Sequence, residues 1–256
     1  DPLGLVFSLN DRKPYVITRA DVFSVSPMTD KFLRSIGLLP AFRLDYDGEE
    51  SLGKNAATFQ VSEKALIEGK TVIIYPEAGH QDKHWLGTFS LGYTKMAFEA
   101  AEMAKFEKDV QILPACNHYS HYFGLRNRML VKFGTPISLQ PYYELYKTKP
   151  RTAQRDVNKL VCEQISSMML DIRDLENYEV IDFIRTTYGE DYAKKQGADP
   201  DNLPERLLTD NDLVAKLDEA KKLDEKGINE LYQNARILRQ GIEELDITDN
   251  HLKMVV

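Results

Sequence analysis

The stretch Thr71-Val-Ile-Ile-Tyr-Pro-Glu-Ala-Gly-His80 sets a carboxylate, Glu77, and an imidazole, His80, at the end of a β-branched apolar run. A buried strand that stops at Pro76-Glu77 and turns through Ala78-Gly79 presents those groups in the crevice where α/β proteins bind ligands. Two further patterns invite chemistry and do not sustain it. In Asn117-His-Tyr-Ser-His-Tyr122, His118 and His121 have a spacing that can join two imidazoles on one helix face as metal ligands. That stretch follows a strand, where positions three apart face opposite sides, and no neighbouring Cys or carboxylate completes a ligand set. A loop bordering a cleft is the expectation, and no metal site. Phe89-Ser-Leu-Gly92 lacks the first glycine of a serine-hydrolase elbow, and a Gly-x-x-x-x-Gly-Lys-Ser/Thr phosphate loop is absent.

The elements around these groups alternate. Asp1-Pro2 reads as an N-cap with proline at the first helical position, opening a helix to about Leu9. Pro14–Thr18 predicts a strand, and Met28, Phe32, Leu33 and Ile36 recur at helical spacing up to a stop at Gly37. Leu38–Leu44 predicts a strand with a turn-rich exit at Arg43–Gly48. A helix over Asn55–Gly69, with Ala56, Phe59, Ala65 and Leu66 inward, leads to Thr71–Tyr75. A helix from about Leu91 to Phe106 follows, then strands at Val110–Cys116 and Met129–Phe133. Thr71–Tyr75 and Val110–Cys116 are expected to be central and buried. The reading is an α/β fold with a central, mostly parallel sheet flanked by helices.

From about Pro141 strand signals vanish and charge rises. Helical periodicity marks Val157–Ile172, Glu176–Tyr188, Asp212–Leu223 and Asn229–Leu245, with a connector over Gly197–Pro204. The expected organisation is an α/β domain over 1–140 and a C-terminal helical appendage over 141–256.

A chain of 256 residues, 43% hydrophobic and 29% charged, holds a sizeable core under a soluble surface. A net charge of −7 argues against a general nucleic-acid binder. Cys116 and Cys162 form no disulfide framework, which suits a reducing, cytoplasmic setting. No apolar run is long enough to span a bilayer. The first residue is Asp rather than Met, and the sequence reads as a fragment.

Taken alone, Asp1 is a helix cap, and Arg43 is a surface residue paired with Asp45 or Asp47. In order along the chain, however, Asp1-Pro-Leu-Gly-Leu5, Ile36-Gly-Leu-Leu-Pro-Ala-Phe-Arg43, Tyr75-Pro-Glu-Ala-Gly-His80 and Val110-Gln-Ile-Leu-Pro114 resemble the blocks of the glycerol-3-phosphate and lysophosphatidate acyltransferases. The resemblance implies an enzyme of phospholipid biosynthesis, an O-acyltransferase, with that family's α/β fold. It moves a fatty acyl group from an acyl-CoA or acyl-carrier-protein thioester to a hydroxyl of a glycerophosphate-type acceptor. It also implies work at a membrane surface, on its cytoplasmic face, with no metal or redox cofactor and no nucleic acid.

By the same resemblance Asp1 and Glu77 are catalytic positions. Asp1 is the carboxylate of a His–Asp dyad whose histidine lies upstream of this sequence. Arg43 holds the acceptor's phosphate, a task suited to a planar, permanently charged fork. Ala78, Gly79 and His80 depart from the usual Gly-Thr-Arg. Gly79 then takes the strain of the turn, and His80 supplies a charge that depends on pH. Lys83, His84 and Lys95 are the candidates to make up the lost positive charge. A non-catalytic lipid- or phosphate-binding module on the same fold is the alternative, favoured by the missing histidine, Ala78 and His80.

Overall fold

The structure, a computed structural model, describes residues 2–9, 13–42, 51–77, 83–120 and 128–245. It is mixed α/β and divides into two compact units. One comprises Asp1–Gln81, Leu86–Asn117 and Val131–Met168, and the other Asp82–Trp85, His118–Leu130 and Met169–Val256.

The first unit is built on a three-stranded parallel sheet of β1 (Tyr15–Arg19), β2 (Leu38–Ala41) and β3 (Val72–Ile73), in the order β2-β1-β3. Val16 lies opposite both Leu38 and Ile73. Helix α1 (Pro2–Ser8) places Leu5 in a core with Val16 and Ile73. After β1 a 3₁₀ turn (Ala20–Val25) leads to α2 (Pro27–Ser35), capped by Ser26, whose hydroxyl accepts the Thr29 N–H at 3.0 Å. Gly37 follows at φ +92°, and its carbonyl accepts the Val16 N–H at 2.9 Å, so the turn out of α2 starts the sheet.

Helix α3 (Ser51–Ile67) leads into β3, and α4 (Gly92–Met103) supplies the buried Tyr93, Met96, Phe98, Ala100 and Ala101. A short antiparallel pair joins β4 (Gln111–Ile112) to β7 (Ile137–Ser138), and β5 (Ala115–Tyr119) pairs with β6 (Met129–Phe133). Helices α5 (Tyr143–Thr148) and α6 (Pro150–Met168) complete this unit, with Tyr146 stacked on Phe98 at 4.4 Å.

Two expectations change, and one pattern takes on its meaning only in the structure. The run Val110–Cys116 is two strands in different sheets, because Pro114 has no N–H to continue a ladder and its carbonyl instead accepts the Gly134 N–H at 2.8 Å. Thr71–Tyr75 shortens to Val72–Ile73, which pairs on one side with β1 and sits at the sheet's end, while β1 is the central strand; Tyr75 is 42% exposed. The apolar stripe of α2 turns outward, with Met28 82% and Phe32 60% exposed, and α2 buries no residue. Periodicity defines such a face without stating whether anything covers it.

The second unit is helical: α7 (Tyr178–Lys195), α8 (Leu203–Leu223) and α9 (Glu225–Glu244). Their core gathers Leu170, Ile172, Ile181, Leu207, Val214, Ile228 and Tyr232, with Trp85 packed against it. Asn202 caps α8 by accepting the Glu205 N–H, and Pro204 occupies its first turn. Among the described residues no helix is long and apolar enough to cross a membrane.

Residues 83–85 are part of this helical unit. The His84 carbonyl accepts the Ile172 N–H, and the His84 N–H donates to the Tyr178 hydroxyl, both at 2.7 Å. Trp85 meets Tyr178 edge-on at 5.7 Å. Beside them Asp210, its side chain only 3% exposed, accepts from Arg185 at 2.9 Å and Arg206 at 2.7 Å. Burial first, then the Arg185 cation 3.5 Å from its ring, lowers the His84 pKa to about 4, with His118 adding to the effect and Asp182 opposing it.

A folded-state pKa below the unfolded value of ~6.5 stabilises the fold fully above that pH, and the contribution is lost as pH falls toward 4. The helical unit should therefore lose roughly 2–3 kcal/mol between pH 7.5 and 4.5. Urea unfolding followed through Trp85, the chain's single tryptophan, reads this directly. His84→Gln should flatten the dependence, and an unchanged slope in that variant would refute the assignment.

Candidate active site

Parallel strands deliver their carboxyl ends to one edge of a sheet, so β1, β2 and β3 all exit toward the same side, with Arg19 level with Ala41. At the β3 exit the chain runs through Pro76 to Glu77. The Glu77 Oε1 accepts the Gly87 N–H at 2.7 Å, Glu77 forms an isolated β-bridge with Phe89, and the Ser90 N–H donates to the Pro76 carbonyl at 3.1 Å. The Glu77 carboxylate thus ties the two ends of the motif loop together. Phe89 is buried and meets Tyr93 edge-on at 6.4 Å, and the Tyr93 hydroxyl donates to Asn158 at 2.8 Å, which fastens this closure to α4 and α6.

Gly87 lets the Glu77 carboxylate approach closely. A Cβ there would lie 2.3 Å from the Glu77 Oε1 and 3.1 Å from the carboxylate carbon. Nothing in the local sequence of Gly87 signals this role, since the constraint comes from a residue ten positions earlier.

At the β2 exit the sheet edge is completed by a helix. The Asn55 side chain accepts the Phe42 N–H at 2.9 Å and donates to the Phe42 carbonyl at 2.8 Å. One turn on, the buried Thr58 hydroxyl donates to the Pro40 carbonyl at 2.7 Å. The inward face of α3 is mixed: Thr58, Ser62 and Glu63 are buried beside Ala65, Phe59 packs on Ile17, Leu39 and Met96, and Ala56, expected inside, is exposed. An asparagine within a helix, where it is a weak helix former, was the available signal for this contact.

Of the residues singled out by sequence, Asp1, Arg43, Gly79 and His80 lie outside the described residues, as does His121. Lys83 pairs with Glu179 at 3.0 Å and stands over the Tyr178 and Trp85 rings at 4.8 and 5.4 Å. Lys95 pairs with Glu99 one turn away on α4 at 3.7 Å. The buried Glu63 beside them has a raised pKa, chiefly from burial and then from Glu99, with Lys95 opposing. The expectation that His84 adds positive charge is corrected, because burial and Arg185 keep its imidazole neutral at neutral pH. Neither cysteine is in a disulfide, and burial pushes the Cys116 thiol up. Among the described residues no group of His, Cys, Asp and Glu is arranged as a metal site.

Residues 1–118 match the sequence profile of the acyltransferase family. The chain is 29% identical over 127 residues to an uncharacterized acyltransferase of Schizosaccharomyces pombe, an overlap of 49% of this chain and 19% of that protein. It is 30% identical over 135 residues to glycerol-3-phosphate O-acyltransferase 2 of Saccharomyces cerevisiae, 52% of this chain and 18% of that one. Glycerol-3-phosphate O-acyltransferase 1 of the same yeast is 26% identical over 133 residues, 51% of this chain and 17% of its own length. The chain thus spans less than a fifth of each of these relatives. No solved structure matches it.

The Glu77–Gly87 closure makes a graded prediction. Glu77→Gln keeps an acceptor for the Gly87 N–H and should change stability by less than about 1 kcal/mol. Glu77→Ala and Gly87→Ala should each cost about 1–3 kcal/mol, the first by removing the acceptor and the second by displacing it. Chemical unfolding of the three variants checks the order, and a neutral Gly87→Ala would contradict the closure.

Proposed function

On the premise that residues 1–118 of this chain belong to the acyltransferase family whose curated relatives include glycerol-3-phosphate O-acyltransferases, we propose that the chain carries the catalytic region of an O-acyltransferase of phospholipid biosynthesis. It transfers a fatty acyl group from an acyl-CoA or acyl-carrier-protein thioester to a hydroxyl of a glycerophosphate-type acceptor. The protein works as a peripheral protein at the cytoplasmic face of the membrane that receives its product. The observation that carries this reading is the closed loop at the β3 exit. There the family's Glu, at Glu77, has a fixed place at the sheet edge where ligands of α/β proteins bind.

In this proposal the upstream histidine, its tautomer fixed by Asp1, removes the proton from the acceptor hydroxyl. The oxygen forms a bond to the thioester carbonyl carbon, and the C–S bond of the resulting tetrahedral intermediate then breaks. The thiolate departs and takes the proton back from the imidazolium. The thioester is already activated, so the task of the protein is to position and deprotonate. Glu77 acts through its bond to the Gly87 N–H. The ion pairs of Lys83 and Lys95 favour Arg43, with His80, as the binder of the acceptor's phosphate. A bidentate guanidinium–phosphate contact is worth about 1.5–3 kcal/mol per bond.

Arg43→Ala in the full-length protein should raise the acceptor KM roughly ten- to a hundredfold, on that scale, while leaving the thioester KM within about twofold. Steady-state kinetics with each substrate varied in turn measures the split. An equal rise in both constants would assign Arg43 to the fold and remove it from the acceptor site.

A further inference from the structure

The β2 exit contains a contact whose geometry exceeds what a generic helix–strand packing requires. A carboxamide carries an acceptor and a donor in one plane, as a neighbouring backbone residue does, and Asn55 uses both on the same residue, Phe42. Thr58 adds a third bond to the same strand at Pro40, and Ser62 in turn donates to the Thr58 carbonyl at 2.9 Å. Helix α3 thereby does for the outer edge of β2 what a fourth strand would do. Proline suits that edge, since it has no N–H to offer a further strand. Asn55 stands in the helix at a cost in propensity of some tenths of a kcal/mol, a local conflict that commonly marks a position with another task.

Phe42 is the residue immediately before Arg43. Resting on the reading of Arg43 as the acceptor's phosphate ligand, we propose that Asn55 is a positioning residue for acceptor binding. It fixes both backbone groups of Phe42, the last described residue of β2's exit. A displacement of about 1 Å in a positioning group is enough to change rates a hundredfold. Asn55 touches no substrate and acts through the strand end alone. Thr58, bonded to Pro40 two residues further back along β2, holds the strand without setting its exit.

Kinetics of full-length variants separate these roles. Asn55→Asp keeps the acceptor for the Phe42 N–H and sets a carboxylate against the Phe42 carbonyl, so the strand end shifts while the helix survives. It should raise the acceptor KM about tenfold, with the thioester KM within about twofold. Thr58→Val should lower the thermal midpoint and leave the acceptor KM within about twofold. In an Arg43→Ala background Asn55→Asp should add less than about twofold, because its effect passes through Arg43. If Arg43→Ala raises the acceptor KM and Asn55→Asp does not, the positioning role is wrong. If Thr58→Val raises that KM as much as Asn55→Asp, or Asn55→Asp retains its full effect without Arg43, the contact serves only the fold. If Arg43→Ala itself leaves the acceptor KM unchanged, the phosphate assignment fails and this inference with it.

Discussion

The hydrogen bond from the Gly87 N–H to the Glu77 carboxylate is the interaction on which the candidate site depends. A short parallel strand such as β3 has one neighbour and little pairing of its own, so the chain beyond it needs another anchor. The carboxylate supplies that anchor by reaching across the loop to a backbone donor, and the bridge to Phe89 extends the closure into the buried ring of Tyr93. A charged acceptor roughly doubles the strength of such a bond over a neutral one. Any side chain at position 87 would have to displace the Glu77 carboxylate from this bond.

The β2 exit solves the same problem by other means. There the missing neighbour is replaced by side chains of α3, with Asn55 and Thr58 pairing backbone groups that would otherwise be left without partners at a buried edge. At β3 and β2 alike the sheet is finished by polar side chains. In the helical unit, residues 83–85 make the corresponding commitment to Ile172, Tyr178 and Glu179, which takes Lys83 into an ion pair and leaves His84 neutral.

Much of this was legible in the sequence. The helices α3, α4 and α6 to α9, the strands β1, β2 and β6, and the turns at Gly37 and Gly197 follow from periodicity and from glycine at the stops, whereas α5 carried no such signal. The site motif was legible because Pro76-Glu77 interrupts an apolar run. What was not legible depends on contacts far apart in the chain. Pro114 splits a continuous apolar stretch between two sheets, and the stripe of α2 carries the same pattern whether covered or exposed. The buried face of α3 mixes Phe59 and Ala65 with Asn55 and Thr58, which bond the edge of β2, so a search for apolar periodicity places Ala56 inside wrongly. Gly87 and Asn55 take their meaning from Glu77 and Phe42, partners ten and thirteen residues away.

The central claim is that this sheet edge supports acyl transfer from a thioester to a glycerophosphate. The most direct measurement follows thiol release from a long-chain acyl-CoA or acyl-carrier-protein thioester by the full-length protein, with and without glycerol 3-phosphate, alongside the acylated product. The account predicts thiol release that depends on the acceptor and matches the acylated glycerophosphate mole for mole. Binding of the thioester without turnover, or thiol release indifferent to the acceptor, would contradict it.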